Sequence, residues 1–332
     1  MPQRTSKDKR GTALTRIIIT ALIAALFAVP AEAQDWPNKS VRIIVPFGPG
    51  ATPDLVARLV ADYLQQKLGQ PFIVENKPGA SGDRGTDLVA KAAPDGSTIG
   101  VSIGGPLAIN PLLFGKLPYD PHQDLTLITM LVTQPSVLAV NSALGVSGVP
   151  QLVELIRRNP GKYNFGSIGT GSLSHLAMEA IAGKSGAQLV HVPYGSSPQA
   201  VTALIRNDVQ MVCLPAVSVV PQADTGAVKI LAVSTRERSA LLPGIPTLKE
   251  SGIDVEADAW MGLIGPAGLS GTTTARIGRA AGEAVTSPAI RQKLHAQFME
   301  PIPDTPAEFR ARIEADVARW KPVIDAAHIR IN

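Results

Sequence analysis

Residues 43–55 read IIVPFGPGATPDL, and this stretch decides the fold that we predict. A run of β-branched residues ends in a loop rich in proline and glycine, and the loop leads directly into a helix-forming sequence. The pattern is that of a strand, a turn and a helix N-terminus. Such a turn offers backbone N–H groups to a ligand, and the dipole of the helix favours negative charge beside them.

A second stretch with the same geometry, residues 164–175, reads NFGSIGTGSLSH. In the first loop, Gly48 and Gly50 allow the backbone to approach a ligand closely. Pro49 and Pro53 stiffen the turn and lack N–H donors. The second loop adds serine and threonine hydroxyls to its glycines. We therefore interpret the two loops as facing each other across a cleft and holding a small anion between them.

Three strand–helix units follow one another, with strands predicted at residues 41–45, 72–74 and 98–102. Successive units of this kind form a parallel, doubly wound sheet whose strand-to-helix loops lie along one edge. Extended segments at 125–132 and 136–141 then lead into a second series of strands and helices. We predict an α/β protein of two doubly wound domains, joined by two crossover segments around a ligand cleft.

The chain divides into a leader and two predicted domains. Domain I is discontinuous and comprises residues 34–134 and 235–332, whereas domain II comprises residues 135–234. The return to domain I follows a strand predicted at 229–234. In domain I, the sequence TPAE at residues 305–308 is a capping box that opens a long terminal helix.

Residues 1–33 have the features of a secretory signal peptide. Basic residues precede an apolar run at 17–29, and Ala31 and Ala33 are the small residues that flank a cleavage point after Ala33. The run is shorter than the roughly 20 residues that span a membrane, so a retained N-terminal anchor is the less favoured alternative. We therefore expect the mature protein to be exported.

The charge of the chain is mostly a property of this leader. The leader holds five of the 31 basic and two of the 27 acidic residues, which leaves 26 against 25. Without a basic stripe, and with aromatic residues at 4%, the sequence argues against a nucleic-acid partner. The single cysteine, Cys213, excludes an intrachain disulfide. Because it lies in an apolar run, we interpret it as a packed core residue rather than a reactive thiol.

The first loop offers backbone donors next to a carboxylate and a guanidinium. Gly48, Gly50 and Ala51 carry the useful N–H groups. Asp54 is predicted to cap the helix that follows, with direct ligand contact as the alternative. Arg58, one turn further on, is predicted to be a surface residue.

The second loop has more donors. Ser167, Thr170 and Ser172 add hydroxyls to the N–H groups of Gly169 and Gly171. Together these groups form a cup that suits a carboxylate. The alternative is an ordinary glycine-rich turn in which Ser172 is only the N-cap of the next helix.

Other polar groups fall near these loops. Ala80 and Ser81 lie in a further glycine-bearing turn before a helix, and Tyr194 offers a hydroxyl at a strand end. His175 lies one helical turn beyond Ser172, so it reaches the cleft or packs beneath it. The sequence alone leaves both possibilities for His175 open.

Patterns typical of catalysis are absent from the sequence. Ser167 is not part of a G-x-S-x-G motif, because Phe165 stands two residues before it. The run 169–171 lacks the third glycine of a dinucleotide-binding loop, and no histidine pair or cysteine has metal-ligand spacing. We expect no cofactor, no metal and no enzymatic activity. A hydrolase that uses His175 as a general base is the least favoured alternative.

A series of short motifs, taken in order, resembles one protein family. The motifs are IVPF at residues 44–47, ENKPGASG at 75–82, APDG at 93–96, AINP at 108–111, LPYDP at 117–121, NFGS at 164–167 and HVPY at 191–194, with the Trp260 strand after them. Along its whole mature length, the chain resembles the substrate-binding proteins of tripartite tricarboxylate transporters, the Bug (TctC-like) family.

The resemblance implies a periplasmic protein of the type II binding-protein fold, which closes on a small organic acid by hinge motion and delivers it to membrane permease subunits. It implies that the first loop and the turn at 79–82 contact the ligand through backbone groups and bridging waters, and that the loop after 165–167 grips a carboxylate. We expect a monomer, and a periplasmic sensor is the alternative partner. The predicted ligand-binding residues are Phe47, Gly48, Gly50, Ala51, Ala80, Ser81, Gly105, Ser167, Gly169, Thr170, Gly171, Ser172, His175, Tyr194 and Leu214.

Two departures from the family pattern bear on the ligand. Pro53 stands where relatives have serine or threonine, so the first loop lacks one hydroxyl and one N–H group. Leu214 and the two residues after it stand where many relatives have an aspartate and a small polar residue. We therefore expect a less polar cleft, and a ligand with an apolar body and one gripped carboxylate rather than citrate or an amino acid.

A thermal-shift screen of organic acids tests this expectation. An acid with an apolar body is expected to raise the melting temperature more than citrate or aspartate does, because at the same concentration the ligand with the lower Kd stabilises the folded state more. A largest shift with citrate or aspartate contradicts the expected apolar cleft.

Overall fold

Two β-sheets organise residues 36–331, the residues that the computed structural model describes. The predicted signal peptide and its cleavage point lie outside these residues. The strands, in chain order, are β1 (Val41–Val45), β2 (Phe72–Asn76), β3 (Thr98–Ile103), β4 (Leu125–Gln134), β5 (Ser136–Asn141), β6 (Asn164–Ser167), β7 (Val190–Pro193), β8 (Met211–Pro215), β9 (Val228–Val233), β10 (Ala259–Pro266) and β11 (Glu300–Pro301).

Helices connect and cover the strands. They are α1 (Thr52–Leu68), α2 (Asp83–Ala90), α3 (Asn110–Leu113), α4 (Val149–Arg157), α5 (Leu173–Ser185), α6 (Ser197–Ile205), α7 (Ala216–Ala223), α8 (Gly271–Thr286), α9 (Pro288–His295) and α10 (Pro306–Ala326). A 3₁₀ turn at Ala80–Gly82 precedes α2, and a π-helical turn at Gly105–Ile109 precedes α3. No helix within residues 36–331 has both the length and the apolar composition that a membrane crossing requires.

The parallel pairing of the strands confirms the predicted α/β class. In the first sheet the order is β11-β4-β10-β3-β1-β2, and β1 pairs in parallel with β2 and β3. In the second sheet the order is β7-β6-β8-β5-β9, and β6 pairs in parallel with β7 and β8. We refer to each sheet with the helices packed on it as the first lobe and the second lobe.

Each sheet also contains antiparallel pairing, and in both sheets the strand that follows a crossover runs against its neighbours. In the first sheet, the short edge strand β11 also pairs antiparallel with β4. Only Pro135 separates β5 from β4, and β5 pairs antiparallel with β8 and β9. After the second crossover, at residues 234–258, β10 pairs antiparallel with β3 and β4. The three predicted strands β1, β2 and β3 do pair in parallel, and the antiparallel strands add to that prediction. The predicted domain boundaries stay a prediction.

Helix α10 packs against both lobes. Its N-cap is Thr305, and the reciprocal hydrogen bonds with Glu308 confirm the predicted capping box. Near its start, Phe309 is buried in a cluster of the first lobe. Near its end, Trp320 and Ile324 are buried with the core of the second lobe. The apolar face of one helix therefore covers both sheets.

A charged cluster joins α10 to both crossovers. Arg312 donates to Asp258 at 2.7 Å and lies 3.5 Å from Glu256, and both acids belong to the second crossover. The hydroxyl of Thr133, at the end of β4, donates to the other oxygen of Asp258 at 2.5 Å. Arg319 contacts Glu256 at 3.1 Å. Because the Arg312 side chain is only 19% exposed, these contacts lie in a largely desolvated setting.

We expect Arg312→Met to lower the free energy of unfolding by about 3 kcal/mol, because it leaves the buried carboxylate of Asp258 without its cation. The matched control is Lys321→Met on the same helix, whose ion pair with Asp325 is exposed. We expect about 0.5 kcal/mol or less for this control. Chemical denaturation of the three proteins makes the measurement, and equal effects of the two substitutions contradict the role assigned to Arg312.

Candidate functional site

The first loop joins β1 to α1, and a buried carboxylate sets its geometry. Asp54 accepts the N–H of Gly50 at 2.9 Å. The N-cap of α1 is Ala51, so the prediction that Asp54 is the cap residue is wrong. The reason is that the helix already begins at Thr52, with Pro53 in its first turn, where a missing N–H costs nothing.

Asp54 also ties the first loop to β2. Arg58 donates to Asp54 at 3.1 Å and Asn76 donates to it at 2.9 Å. Asn76 donates to the carbonyl of Phe47 as well, at 2.9 Å. Burial acts to raise the pKa of Asp54, but the hydrogen bonds from Arg58, Gly50 and Asn76 outweigh it and the pKa lies below its usual value. Arg58 is half exposed, in line with the predicted surface position.

The turn at Gly79–Gly82 packs against the first loop. Ala80 and Ser81 have φ values of 47° and 53°, a left-handed conformation that residues other than glycine rarely adopt. A Cβ on Gly82 would lie 2.8 Å from Pro106 and 3.1 Å from Phe47, so only glycine fits there. Both Ala80 and Ser81 are exposed.

A second buried carboxylate lies beneath this turn, and the sequence analysis did not identify it. Asp83 is 3% exposed and accepts hydrogen bonds from Asn110 and from the Tyr119 hydroxyl, both at 2.7 Å. Burial raises the pKa of Asp83 against these two bonds. Asn110 also donates to the carbonyl of Ser81 at 3.4 Å, which links α3 to the turn. The only sequence signal was that these residues lie within or beside the motifs at 75–82, 108–111 and 117–121.

The first-lobe candidates therefore meet at one edge of the sheet. Phe47 contacts the turn through Gly82, and a Cβ on Gly105 would lie 3.9 Å from the carbonyl of Ser81. Gly50 is exposed, while Gly48 and Ala51 are partly exposed. The loops after β1, β2 and β3 form this group, as expected for parallel strands.

In the second loop, Ser172 serves as the N-cap of the next helix, which is the alternative stated for it above. This helix is α5, and the Ser172 side chain accepts the N–H of His175. The N–H of Gly169 donates to the Ser167 hydroxyl at 3.1 Å, and the N–H of Gly171 donates to Nδ1 of His175 at 3.1 Å. The expectation that these two amides are free for a ligand is therefore corrected. Both are used inside the loop.

Thr170, between the two glycines, is the exposed donor of the second loop. Within residues 36–331, neither its N–H group nor its hydroxyl has a hydrogen-bond partner. The side chain of Ile168 is 38% exposed beside it. The loop thus presents one polar and one apolar residue to solvent.

Of the remaining second-lobe candidates, His175 and Leu214 are buried, whereas Tyr194 is partly exposed. His175 is 4% exposed and packs beneath the loop, which resolves the alternatives left open for it. The N–H of Tyr194 donates to the carbonyl of Ser167 at 2.9 Å. The side chain of Leu214 is fully buried in the core, so the structure does not bring it to the surface. Cys213 is buried as predicted, and burial raises the pKa of its thiol to about 12.

His191, on β7, lies next to the second loop, although the sequence did not mark it as a site residue. Its Nε2 lies 2.6 Å from the Ser167 hydroxyl, and its ring stacks on that of His175 with centroids 3.7 Å apart. Phe165 lies against both rings. Burial first, and His175 second, lower the pKa of His191 to about 4, so the imidazole is neutral at pH 7.

One contact connects the second loop to the segment that begins at Gly105. A Cβ on Gly171 would lie 2.5 Å from Leu113 and 2.9 Å from Ile331. Leu113 is buried with the core of the second lobe, although α3 continues directly from the π-helical turn of the first-lobe site. The backbone of the second loop therefore rests on a segment that also reaches the first-lobe loops.

Two cavities elsewhere are not lined by any predicted binding residue. One, of about 370 Å³, lies at the crossovers beside Asp258 and Arg312. The other, of about 410 Å³, lies between α1 and α8. Within the described part of the chain, no group of three or more histidine, cysteine or acidic side chains is arranged to hold a metal ion. That the two sets of loops face each other stays a prediction.

Two α/β sheets joined by two crossovers, with glycine-bearing loops and helix N-termini at their edges, define the class of two-lobed solute-binding proteins. The family model described as "Tripartite tricarboxylate transporter family receptor" matches residues 56–329. The chain belongs to this family, the TctC or Bug family, and is a solute-binding receptor rather than an enzyme.

Relatives and solved structures agree with this assignment. Protein BugT of Bordetella pertussis is 32% identical over 315 residues, which cover 94% of this chain and 97% of the relative. The structure of R. palustris Rpa4515 with adipate has a TM-score of 0.79 at 30% identity, and covers 89% of this chain and 99% of its own. MatC from Rhodopseudomonas palustris with bound malate has a TM-score of 0.74 at 28% identity, with 87% and 100% covered.

We expect Asp54→Ala to lower the free energy of unfolding by about 2 kcal/mol, because it removes a buried acceptor of three hydrogen bonds. Asp62→Ala on the same helix is the matched control, since Asp62 is exposed. We expect this control to stay within about 0.5 kcal/mol of the unaltered protein. Chemical denaturation measures both, and a change in Asp54→Ala no larger than in the control contradicts the role of Asp54 in holding the first loop.

Proposed function

We propose that this protein is a periplasmic receptor that captures a small organic acid between its lobes and delivers it to the permease subunits of a tripartite tricarboxylate-type transporter. The observation that carries the proposal is the match, over almost the whole of both chains, to a receptor structure solved with adipate. The match to a malate-bound structure supports the same ligand class. Export to the periplasm rests on the signal-peptide features of residues 1–33.

The proposed site lies between the first-lobe loops and the second loop. Helices α1 and α5 begin at these loops, so the positive ends of two helix dipoles favour an anion there. In the first lobe we propose contacts from residues 47–51, 80–81 and 105. In the second lobe we propose that the N–H and hydroxyl of Thr170 contact one carboxylate.

The chemistry of the exposed residues supports an acid with an apolar body. Ile168 and the partly exposed Phe47 and Ile103 offer apolar surface beside the donors. The carboxylates of Asp54 and Asp83 lie beneath the loops and already accept hydrogen bonds from protein donors. An aliphatic acid fits this combination, because its methylene groups gain from apolar burial while its carboxylate takes the N–H and hydroxyl groups.

The proposed function also requires two bodies that close on the ligand and a hinge between them. We propose that residues 34–134 with 235–332, and residues 135–234, are the two bodies that close on the ligand. Pro135 and Ser234, at the two points where the chain passes between these bodies, are then the hinge positions, since closing motions concentrate at a few residues between rigid elements.

Calorimetry with adipate tests the proposal. We expect saturable binding of adipate to the purified protein, and Thr170→Val is expected to weaken it about fivefold, because one hydrogen-bonding hydroxyl is lost. Thr272→Val, at an exposed threonine of α8, is the matched control and is expected to leave the affinity unchanged. Ser172→Ala is unsuitable alone, since it also removes the cap of α5.

Two results contradict the proposal. If a panel of aliphatic mono- and dicarboxylates gives no binding, and native mass spectrometry of the protein as purified finds no organic acid, the ligand class is wrong. If adipate binds but Thr170→Val matches the control, the second loop is not part of the site.

A further inference from the structure

We propose that His175 and His191 are positioning residues, which hold the two glycine amides of the second loop and so present Thr170 as its anion donor. This inference rests on the proposed function, because it assigns a purpose to the loop that the proposal places at the ligand. It depends on the hydrogen bond from the Gly171 N–H to His175, whose direction the backbone donor determines, and on the contact between His191 and the Ser167 hydroxyl.

The tautomer of His175 follows from its contact with Gly171. A backbone N–H can only donate, so Nδ1 of His175 accepts the Gly171 N–H and carries a lone pair. The ring proton then sits on Nε2, which lies 3.4 Å from the carboxylate of Glu179, one turn further along α5. Glu179 therefore favours the tautomer that Gly171 requires.

His191 acts on the other glycine through Ser167. The Ser167 hydroxyl accepts the Gly169 N–H, and Nε2 of His191 lies 2.6 Å from the same oxygen. Ser167 is fully buried, so its position is set by these partners and not by water. The imidazole of His191 thus holds the hydroxyl of Ser167 in place, and this hydroxyl holds the N–H of Gly169.

The two rings stack on each other in a buried setting. They are almost parallel, at 10°, with centroids 3.7 Å apart, and like charges at this distance in a buried setting repel strongly. Glu179 is the charged side chain that acts on both, and Cys213 on the neighbouring β8 is a neutral thiol. The α10 residues in the same core, Trp320 and Ile324, are apolar.

The consequence of holding both glycines is that the residue between them has no internal partner. Gly169 and Gly171 have φ values of 124° and 76°, and Leu113 and Ile331 close the space behind Gly171. Thr170 is exposed, with its N–H and hydroxyl free within residues 36–331.

Asparagine and glutamine substitutions separate the two ring nitrogens. An asparagine amide lies where Nδ1 does, whereas a glutamine amide lies where Nε2 does. We therefore expect His175→Asn to bind adipate within about twofold of the unaltered protein and His175→Gln to bind at least about fivefold more weakly. For His191 the order reverses, and His191→Gln is expected to retain the affinity that His191→Asn loses.

This reversal distinguishes positioning from packing, because a purely structural role makes both variants of each histidine equally harmful. Equal affinities within each pair, or the opposite order, overturn the proposal. Circular dichroism and the melting temperature of each variant show whether it is folded.

Nitrogen-15 NMR of the unaltered protein provides a test that needs neither variants nor ligand. At pH 7 we expect His175 to carry its proton on Nε2 and to show a hydrogen bond from the Gly171 amide to Nδ1, and we expect His191 to be neutral. A proton on Nδ1 of His175, or a charged His191, overturns the inference. If adipate does not bind, this spectrum still tests the positioning role, whereas the proposed ligand class fails separately.

Discussion

The structure depends on the way in which helix α10 is held across two sheets. Its apolar residues are buried in clusters of both lobes, and Arg312 joins it to the second crossover. Asp258 also accepts from Thr133, at the end of the strand that leads to Pro135. A charge in this largely desolvated setting is stable only while its partners stay in place, which ties the two crossovers and the helix into one arrangement.

The loops of the proposed site are brought together by the pairing of the strands that precede them. Each begins where a parallel strand ends, so strand pairing alone brings the first loop, the turn at Gly79–Gly82 and the segment after β3 together. Buried carboxylates then hold them, Asp54 for the first loop and Asp83 for the turn. In the second lobe, His175 accepts the N–H of Gly171, and His191 contacts the Ser167 hydroxyl.

Much of the fold could be predicted from the sequence, because periodicity and turn residues report local structure directly. The strand at 41–45, the glycine loops and the capping box at 305–308 needed no tertiary information. The strands β5 and β10 could be predicted as extended segments, but their antiparallel direction could not, since it depends on where the chain enters a sheet. The sequence of helix α7 contains no pattern of residues that distinguishes it from a loop.

The site was predicted less completely, for a physical reason. Residue type shows that Gly169 and Gly171 carry N–H groups, but not that Ser167 and His175 already accept from them. His191 lies on a strand distant in sequence, and only the parallel pairing of β6 with β7 brings it to Ser167. Hydrogen-bond partners chosen by tertiary contact cannot be derived from spacing along the chain.

A crystal structure of the protein with adipate shows whether the two lobes share one ligand. We expect one carboxylate within hydrogen-bond distance of the Thr170 N–H or hydroxyl, and the same ligand in contact with backbone groups of residues 47–51 or 80–81. Adipate bound in the cavity at the crossovers, or loops of the two lobes turned away from each other with no shared groove, would contradict this expectation.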